Sequence, residues 1–403
     1  MTVREETGRD ETGRDEIAVP DADGSNELFD WLGRMRDGHP VWQEGDGPYH
    51  VFRYEDVQQV ISDPKTFSND SSRVMPHLKP LTAGNINSMD PPDHGKLRRL
   101  VNQAFTPKTV AGLEPRIAAV THKLLAAVDA ERFDLVDVLT YPLPVIVISE
   151  LLGVPASDRE LFRVWADRFI ALGDQPIAPE DFVATFQAAT REMDEYLLGH
   201  CRRRRTDPKD DLISRLATAE IDRERLTDDE VVKFTGILFL TGHLTTTLLI
   251  GNAMQCLDSH PDAYAQLRAD RSLIPSAIEE VLRFRSPFTT VSRVTVTDVE
   301  VGGHLIPADR MVTPWVISAN HDEDQFPDAH RFDIRRTPNR HVAFGRGGHF
   351  CVGAPLARLE AEVALNALLD TFRELRVDHG RDVAYHARGM YGAKNLPMTA
   401  RRD

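Results

Sequence analysis

The stretch Phe344-Gly345-Arg346-Gly347-Gly348-His349-Phe350-Cys351-Val352-Gly353-Ala354-Pro355 sets a single cysteine in a glycine-rich loop just ahead of a proline. Glycine has no Cβ to hold a backbone away from a flat or bulky ligand. Pro355 suits the first turn of the helix predicted by the apolar spacing of Leu356, Leu359, Val363 and Leu368. Cys351 then stands before a helix N-terminus, where free N–H groups and the macrodipole favour the thiolate needed for nucleophilic attack or metal ligation. A dinucleotide fingerprint fails here, because Gly345-Arg346-Gly347 is followed by Gly348 and His349 with Phe350 where the last glycine belongs. A phosphate-binding loop fails too, since no Gly-Lys-Ser/Thr closes the stretch. Three readings remain open on these residues alone. Cys351 is a small buried hydrophobe, a nucleophile with His349 as its base, or the axial thiolate of a haem. The last accounts for the apolar neighbours Phe344 and Phe350 and for the lack of other metal ligands nearby.

Working outward, helical patterns dominate. Arg53 to Ser62, Thr106 to Ala130, Pro179 to Arg205, Thr227 to Ser259 and Ile274 to Phe284 carry apolar residues at helical spacing between polar or proline boundaries. A β-rich interval follows in Val291 to Thr297, Val299 to Ile306 and Met311 to Trp315, punctuated by Gly302-Gly303 and Pro307. The fold class expected is mainly α, a helical body with small sheets. No Gly, Ser or Pro linker divides the chain, so one domain is expected over 21–403. It is preceded by a charged, disordered arm over 1–20, in which Glu6 to Asp10 recurs as Glu11 to Asp15.

The helix at Thr227 to Ser259 is the most informative element. Thr227 and Glu230 have capping-box spacing, Pro261 lies just past the end, and a helix of this length spans about 50 Å at 1.5 Å per residue. Its apolar middle is interrupted by Thr241-Gly242-His243-Leu244-Thr245-Thr246-Thr247, residues of poor helix propensity. Either a ligand needs space and hydroxyls there, or the threonines bond back to carbonyls one turn earlier while Gly242 admits another helix.

Composition narrows the function. The 403 residues are 41% hydrophobic and 28% charged with a net charge of -15, which opposes general nucleic-acid binding. Three cysteines make no disulfide framework and fit a cytoplasmic setting. Phe234 to Gly251 approaches membrane-span length, but His243, several threonines and three glycines within it read as a buried core helix, with no membrane partner.

Further signals now add up. Phe344, Gly345, Gly347, Cys351 and Gly353 fill the pattern Phe-Gly-x-Gly-x-x-x-Cys-x-Gly. Glu280-Val-Leu-Arg283, Phe326-Pro327-Asp328 with Arg331-Phe332, and Asp90-Pro91-Pro92-Asp93-His94 with Arg98 stand in the matching order. In these motifs the chain resembles a cytochrome P450, of the soluble bacterial class that tailors polyketides and macrolides. The resemblance implies haem b (iron protoporphyrin IX) between a long distal helix and the cysteine loop, with Cys351 as its axial sulfur. It implies that His94, Arg98, Arg293 and His349 hold the propionates, that Phe344, Gly345 and Gly353 shape the loop, and that Glu280 and Arg283 form a structural ion pair with the segment around Arg331. It places Thr245 as the oxygen-activating alcohol. The acid that usually precedes that threonine is absent, Leu244 standing in its place.

The resemblance further implies a substrate pocket from Arg73 to Met89, around Phe169, at Leu240 and Leu244, from Phe288 to Ser292 with Val291 among them, and near Tyr391. Leu244 is expected to form an apolar wall selecting a bulky substrate. A medium or large apolar molecule bearing some oxygens would be hydroxylated or epoxidised with O2, a polyketide or macrolide first and a terpene otherwise. With no flavin or nucleotide region in the chain, electrons come from NAD(P)H only indirectly, through a ferredoxin and ferredoxin reductase. Arg98, Arg99, Arg335, Arg336, Arg340, Arg346 and Arg358 are the docking candidates, and Arg202 to Arg205 reads as a helix C-terminal cluster. A peroxide-using enzyme or a non-catalytic haem-thiolate sensor stays open beside the monooxygenase.

Overall fold

The computed structural model describes residues 19–402 apart from 22, 44, 129–130, 175–177, 222 and 387–388, so the expected arm lies almost wholly outside the described residues. The long helix runs Asp228–Ser259. Its capping box is complete: the Glu230 N–H donates to Thr227 Oγ1 at 3.2 Å, and the Thr227 N–H donates to the Glu230 carboxylate at 2.8 Å. The helix is long and apolar enough to cross a membrane, yet 78% of its most apolar window is buried inside the protein, the environment of a core helix. Helices Pro142–Leu152, Pro179–Thr206 and Ala354–Thr371 pack against it.

Other elements follow local chemistry. Ile274–Phe284 forms as the spacing predicts. The single helix expected over Thr106 to Ala130 is instead two, Pro107–Ala111 and Glu114–Ala126, because Pro115 has no N–H to continue a helix and is suited to starting one. The last turn of Pro179–Thr206 is held by ion pairs of Arg204 with Asp211 and Arg205 with Asp228, both at 2.6 Å, so the basic run serves a helix end.

Five short strands form one sheet in the order Val41–Gln43, Tyr49–Val51, Met311–Pro314, Arg293–Thr295, Phe67–Ser68. The expected strand Val299 to Ile306 is a hairpin, Val299–Val301 paired antiparallel with His304–Ile306. Gly302 and Gly303 both have positive φ (53° and 78°), the conformation a two-residue hairpin turn of this hand requires.

The largest buried cluster surrounds the long helix, and a smaller aromatic one joins Trp31, Phe52, Trp315 and Tyr391. Tyr391, expected beside the substrate, is fully buried in that second cluster. Its ring lies 5.4 Å from Phe29, with the Arg285 guanidinium 5.6 Å above it. It packs the C-terminal segment onto the body.

Glu280 and Arg283 are completely buried and joined by two bonds of 2.8 and 2.7 Å. Arg283 also donates to the carbonyls of Asn320 (2.9 Å), Ala329 (2.8 Å) and Arg331 (3.1 Å), while Glu280 accepts from the Asp333 N–H (2.9 Å) and Asn339 (3.1 Å). Every lone pair and proton of such a buried pair needs a partner, and this network supplies them. It ties the helix to the 320–339 meander that leads into the cysteine loop.

Candidate functional site

A cavity of about 510 Å³ lies between the long helix and the cysteine loop. The helix presents Phe234, Ile237, Leu238, Thr241, Gly242, Thr245, Thr246 and Leu249 to it, the i, i+3, i+4, i+7 stripe of one helical face. Leu240 and Leu244 are on the neighbouring 240–244–248 stripe, each 4% exposed and outside the cavity wall. Leu248 of that stripe approaches Gly392. The expectation that Leu240 and Leu244 line the pocket is therefore corrected by helical phase. Of the 73–89 segment only Ile86, Asn87 and Ser88 reach the cavity, joined by Asn69 and Ser71. Phe288, Thr290, Val291 and Ser292 line it as expected, and Phe169 does not. Ile148 was not singled out from sequence, nor was Glu360, which follows Gly353, Leu356 and Ala357 on the cavity face of its helix; both were findable from periodicity once the facing elements were known.

Gly345 and Gly347, each with φ of 69°, turn the cysteine loop. The Phe344 carbonyl accepts the Cys351 N–H at 2.9 Å, closing the loop on itself. Arg358 stacks over the Phe344 ring at 4.7 Å and is gripped by both oxygens of Glu279 at 2.7 and 2.8 Å. Cys351 opens into the cavity rather than into the packing. Burial raises its thiol above the ordinary value, and the Gly353 N–H, Arg98 and the Ala354 N–H offset this only in part. The thiolate preference expected from the helix terminus is thus outweighed by desolvation, and a metal cation bound at Sγ would reverse the balance.

On one side of the loop, cationic and imidazole groups converge. The His94 and His349 rings stack at 3.8 Å, and the Nε2 atoms of both are buried with no hydrogen-bond partner. Burial, with His94, Arg293 and Arg98 adding repulsion, pushes His349 down to about 3. Burial likewise lowers Arg293 to about 10, with Asp90 the carboxylate that opposes it. Arg98 donates to the Phe350 carbonyl at 2.6 Å. All four line the cavity. Desolvated cations and orphaned ring nitrogens facing one space make a receptor for a group carrying negative charge.

Across the cavity the threonines keep the helix continuous. Thr241 donates to the Ile237 carbonyl (2.7 Å), Thr245 to Thr241 (2.8 Å) and Thr246 to Gly242 (2.9 Å). A Cβ on Gly242 would meet Ile148 Cδ1 at 2.7 Å, so the glycine admits the helix Pro142–Leu152. His243 faces away: it is fully buried, and its Nδ1–H donates to the Phe239 carbonyl at 2.7 Å.

The arginines flanking the loop separate into two groups. Arg336 is engaged by Glu280 and by the carbonyls of Pro327, Asp328 and Arg331, and Arg358 by Glu279. Arg99, Arg335, Arg340 and Arg346 are exposed, Arg335 reaching Gln266 and Arg346 reaching Gln58.

A helical body with small sheets, enclosing a cavity between a long core helix and a glycine-bounded cysteine, defines a haem-thiolate monooxygenase. The family model Cytochrome P450 matches residues 23–390, and the chain belongs to the cytochrome P450 family, whose cofactor is haem. It is 46% identical to erythromycin C-12 hydroxylase of Saccharopolyspora erythraea over 95% of this chain and 96% of that one. It is 45% identical to cyclomarin C epoxidase CymV of Salinispora arenicola over 94% and 97%. The solved open form of cytochrome P450 Eryk from S. erythraea superposes with a TM-score of 0.92 at 44% identity, covering 96% of this chain and 99% of that one.

Proposed function

We propose that this monooxygenase hydroxylates or epoxidises a medium or large oxygen-bearing natural product of polyketide or macrolide type. The observation that carries the reading is the make-up of the cavity wall. Ile148, Phe234, Ile237, Leu238, Leu249, Phe288 and Val291 give it apolar surface, while Asn69, Ser71, Asn87, Ser88 and Thr290 give it uncharged hydrogen-bonding groups. Such a surface suits a large molecule whose carbons are mostly saturated and whose oxygens are scattered. Relatives that hydroxylate erythromycin and epoxidise cyclomarin C support the size class.

The residues fit haem b. Cys351 would supply the sulfur ligand, and His94, Arg98, Arg293 and His349 would receive the two propionates, a role supported by the unpartnered ring nitrogens of the two histidines and the desolvated Arg293 guanidinium. The bound haem supplies O2 activation. The chain's own residues do the rest: Phe344 and the Arg358–Glu279 pair hold the loop, the apolar helix face excludes water, and Thr245 presents its hydroxyl oxygen to the cavity. Electrons come from NAD(P)H through a ferredoxin and its reductase, in a cytoplasmic setting.

The test is optical. Reduced protein with carbon monoxide is expected to give a long-wavelength Soret band, lost in Cys351→Ser. Ferric protein titrated with macrolactones, cyclic peptides and terpenes is expected to shift to high spin with a macrolactone. A short-wavelength band in the parent removes the thiolate assignment, and a response to terpenes alone removes the substrate class.

A further inference from the structure

Two chain segments bring uncharged polar groups to one part of the cavity wall. Strand Phe67–Ser68 pairs antiparallel with Arg293–Thr295, Ser68 opposite Val294, and the turn Ser71–Arg73 packs on the same partner strand. Asn69, between the strand and the turn, enters the wall there together with Ser71, Ser292 and Arg293. The long helix contributes Phe234, Ile237, Leu238 and Leu249 to the wall from a different element. The oxygens and the hydrocarbon of a bound molecule thus have separate surfaces to meet.

The backbone of Asn69 is fixed while its side chain is unengaged. One oxygen of the Asp90 carboxylate accepts the Asn69 N–H at 2.9 Å, and the other accepts the Ser68 hydroxyl. Ser68, fully buried, in turn accepts the Asp70 N–H at 3.0 Å, and Asp70 accepts the Ser72 N–H at 3.0 Å. The Asn69 carboxamide itself makes no hydrogen bond among the described residues. It presents two N–H donors and a carbonyl acceptor in one plane, whereas the hydroxyls of Ser71, Ser88, Thr290 and Ser292 rotate. Asn87, another amide on the wall, is exposed on the turn Ile86–Ser88. An amide that faces an enclosed space without a partner costs free energy that a ligand oxygen recovers.

Resting on the monooxygenase reading of this cavity, we propose that Asn69 is a specificity-determining residue whose side-chain NH2 donates to a carbonyl oxygen of the substrate, and that Asp90 positions it to do so. The anchored oxygen stays on the side of Ser292 and Arg293, and the hydrocarbon turns to the apolar face of the long helix. Only the carbons that this pose presents are then open to oxidation. A site built to hydrogen-bond one group discriminates against analogues that lack it, because the amide is left unpaired.

Spin-state titrations of the haem-loaded protein test this with two ligand pairs: a macrolactone and the cycloalkane of the same ring size, and a terpene ketone and its parent hydrocarbon. In Asn69→Leu the lactone is expected to bind about three- to tenfold more weakly, the scale of one neutral hydrogen bond, with the cycloalkane within about twofold of the parent. Asn69→Asp has the same shape but no donor, and is expected to weaken the lactone at least as far while retaining haem. Turnover of the lactone by Asn69→Leu is expected to spread oxygen over more ring carbons than the parent does. Lactone affinity in Asn69→Leu within twofold of the parent, an equal loss for lactone and cycloalkane, or loss of haem in both variants in place of loss of ligand overturns the proposal. If the parent responds to the terpene ketone and not to the lactone, the macrolide class fails and the same contrast is read on the terpene pair. A parent that prefers neither carbonyl ligand to its hydrocarbon removes the role of Asn69, while its carbon monoxide band reports the monooxygenase reading separately.

Discussion

Gly242 and Thr245, three residues apart on one helix, show how differently single positions constrain the site. With Ile148 Cδ1 2.7 Å from where a Cβ would stand, Gly242→Ala must displace the end of the Ile148 side chain, and is expected to press through it on the helix Pro142–Leu152. Overpacking of this kind costs about 1–3 kcal/mol. A lowered thermal midpoint with unchanged Soret position is the expected result, and an unaltered midpoint would show that Ile148 simply changes rotamer. Thr245 makes no such steric demand. Its hydroxyl donates to the Thr241 carbonyl and so leaves its oxygen's lone pairs to the cavity. Thr245→Ala is expected to divert NAD(P)H into peroxide and to cut product per electron pair by about tenfold, the scale of a lost proton relay, while Thr245→Ser keeps most of it. Full coupling in Thr245→Ala would remove the threonine from the mechanism. Both residues were legible as exceptions in an apolar helix. What the sequence could not separate was which exception faces a ligand and which faces a helix, because that depends on the phase of the helix against partners distant in the chain. The same blindness to phase put Leu240 and Leu244 in the pocket. Tyr391 was misplaced because nothing local distinguishes a wall tyrosine from one packed under an arginine.

Two elements carry the architecture on either side of the cavity. The long helix was readable almost to the residue, since its capping box, its length and the proline after it are local signals. Its buried histidine gives it a pH response. Burial holds His243 at about 4, against about 6.5 in an unfolded chain. Above about 6.5 neither state binds the proton and stability does not depend on it. Between about 6.5 and 4 only the unfolded chain takes it up, so stability falls as pH falls, and below about 4 the slope ends. His321, lowered by burial to about 3, adds a second proton that is taken up in the same direction. The urea midpoint is expected to drop between pH 7 and pH 5, and His243→Phe to make that drop shallower; an identical drop in the variant would mean the histidine is solvated in the fold. The helix Ile274–Phe284 was also legible, but not the extent of what it holds. Glu280 and Arg283 read as an i, i+3 pair, and only the fold reveals carbonyls from Asn320, Ala329 and Arg331 gathered on the arginine. Glu280→Gln leaves a buried guanidinium half-compensated and is expected to cost about 3–5 kcal/mol. Loss of haem on gel filtration at moderate urea, where the parent retains it, is the measurement.

At the scale of the whole molecule, the surface charge is uneven. The chain carries -15 overall, yet exposed arginines gather near the cysteine loop. Tyr54 links two of them: its hydroxyl donates to the Arg340 carbonyl at 2.7 Å and accepts from Arg346 at 3.2 Å. Arg99 follows Arg98, which is bonded to the Phe350 carbonyl, and the Phe350 ring is 40% exposed beside them. An exposed aromatic ring rimmed by exposed arginines is the surface on which an acidic electron-transfer protein is expected to dock. Arg336 and Arg358, equally basic in the sequence, are committed to Glu280 and Glu279 and cannot contribute. Exposed charges act through steering, which enhances association about 10–10³-fold at low ionic strength and disappears as the screening length shrinks to about 3 Å at 1 M salt. Reduction of the ferric protein by an acidic ferredoxin is therefore expected to slow steeply with added salt. Arg99→Glu and Arg346→Glu are each expected to slow it at low salt and to converge on the parent rate at high salt, because only the long-range term has been changed. Stopped-flow reduction under carbon monoxide reads this directly. If the parent rate is indifferent to salt and both charge reversals reduce at that same rate, the partner docks on another face. If the two variants stay slow at high salt, the arginines make short-range contacts in the docked complex rather than steering its approach.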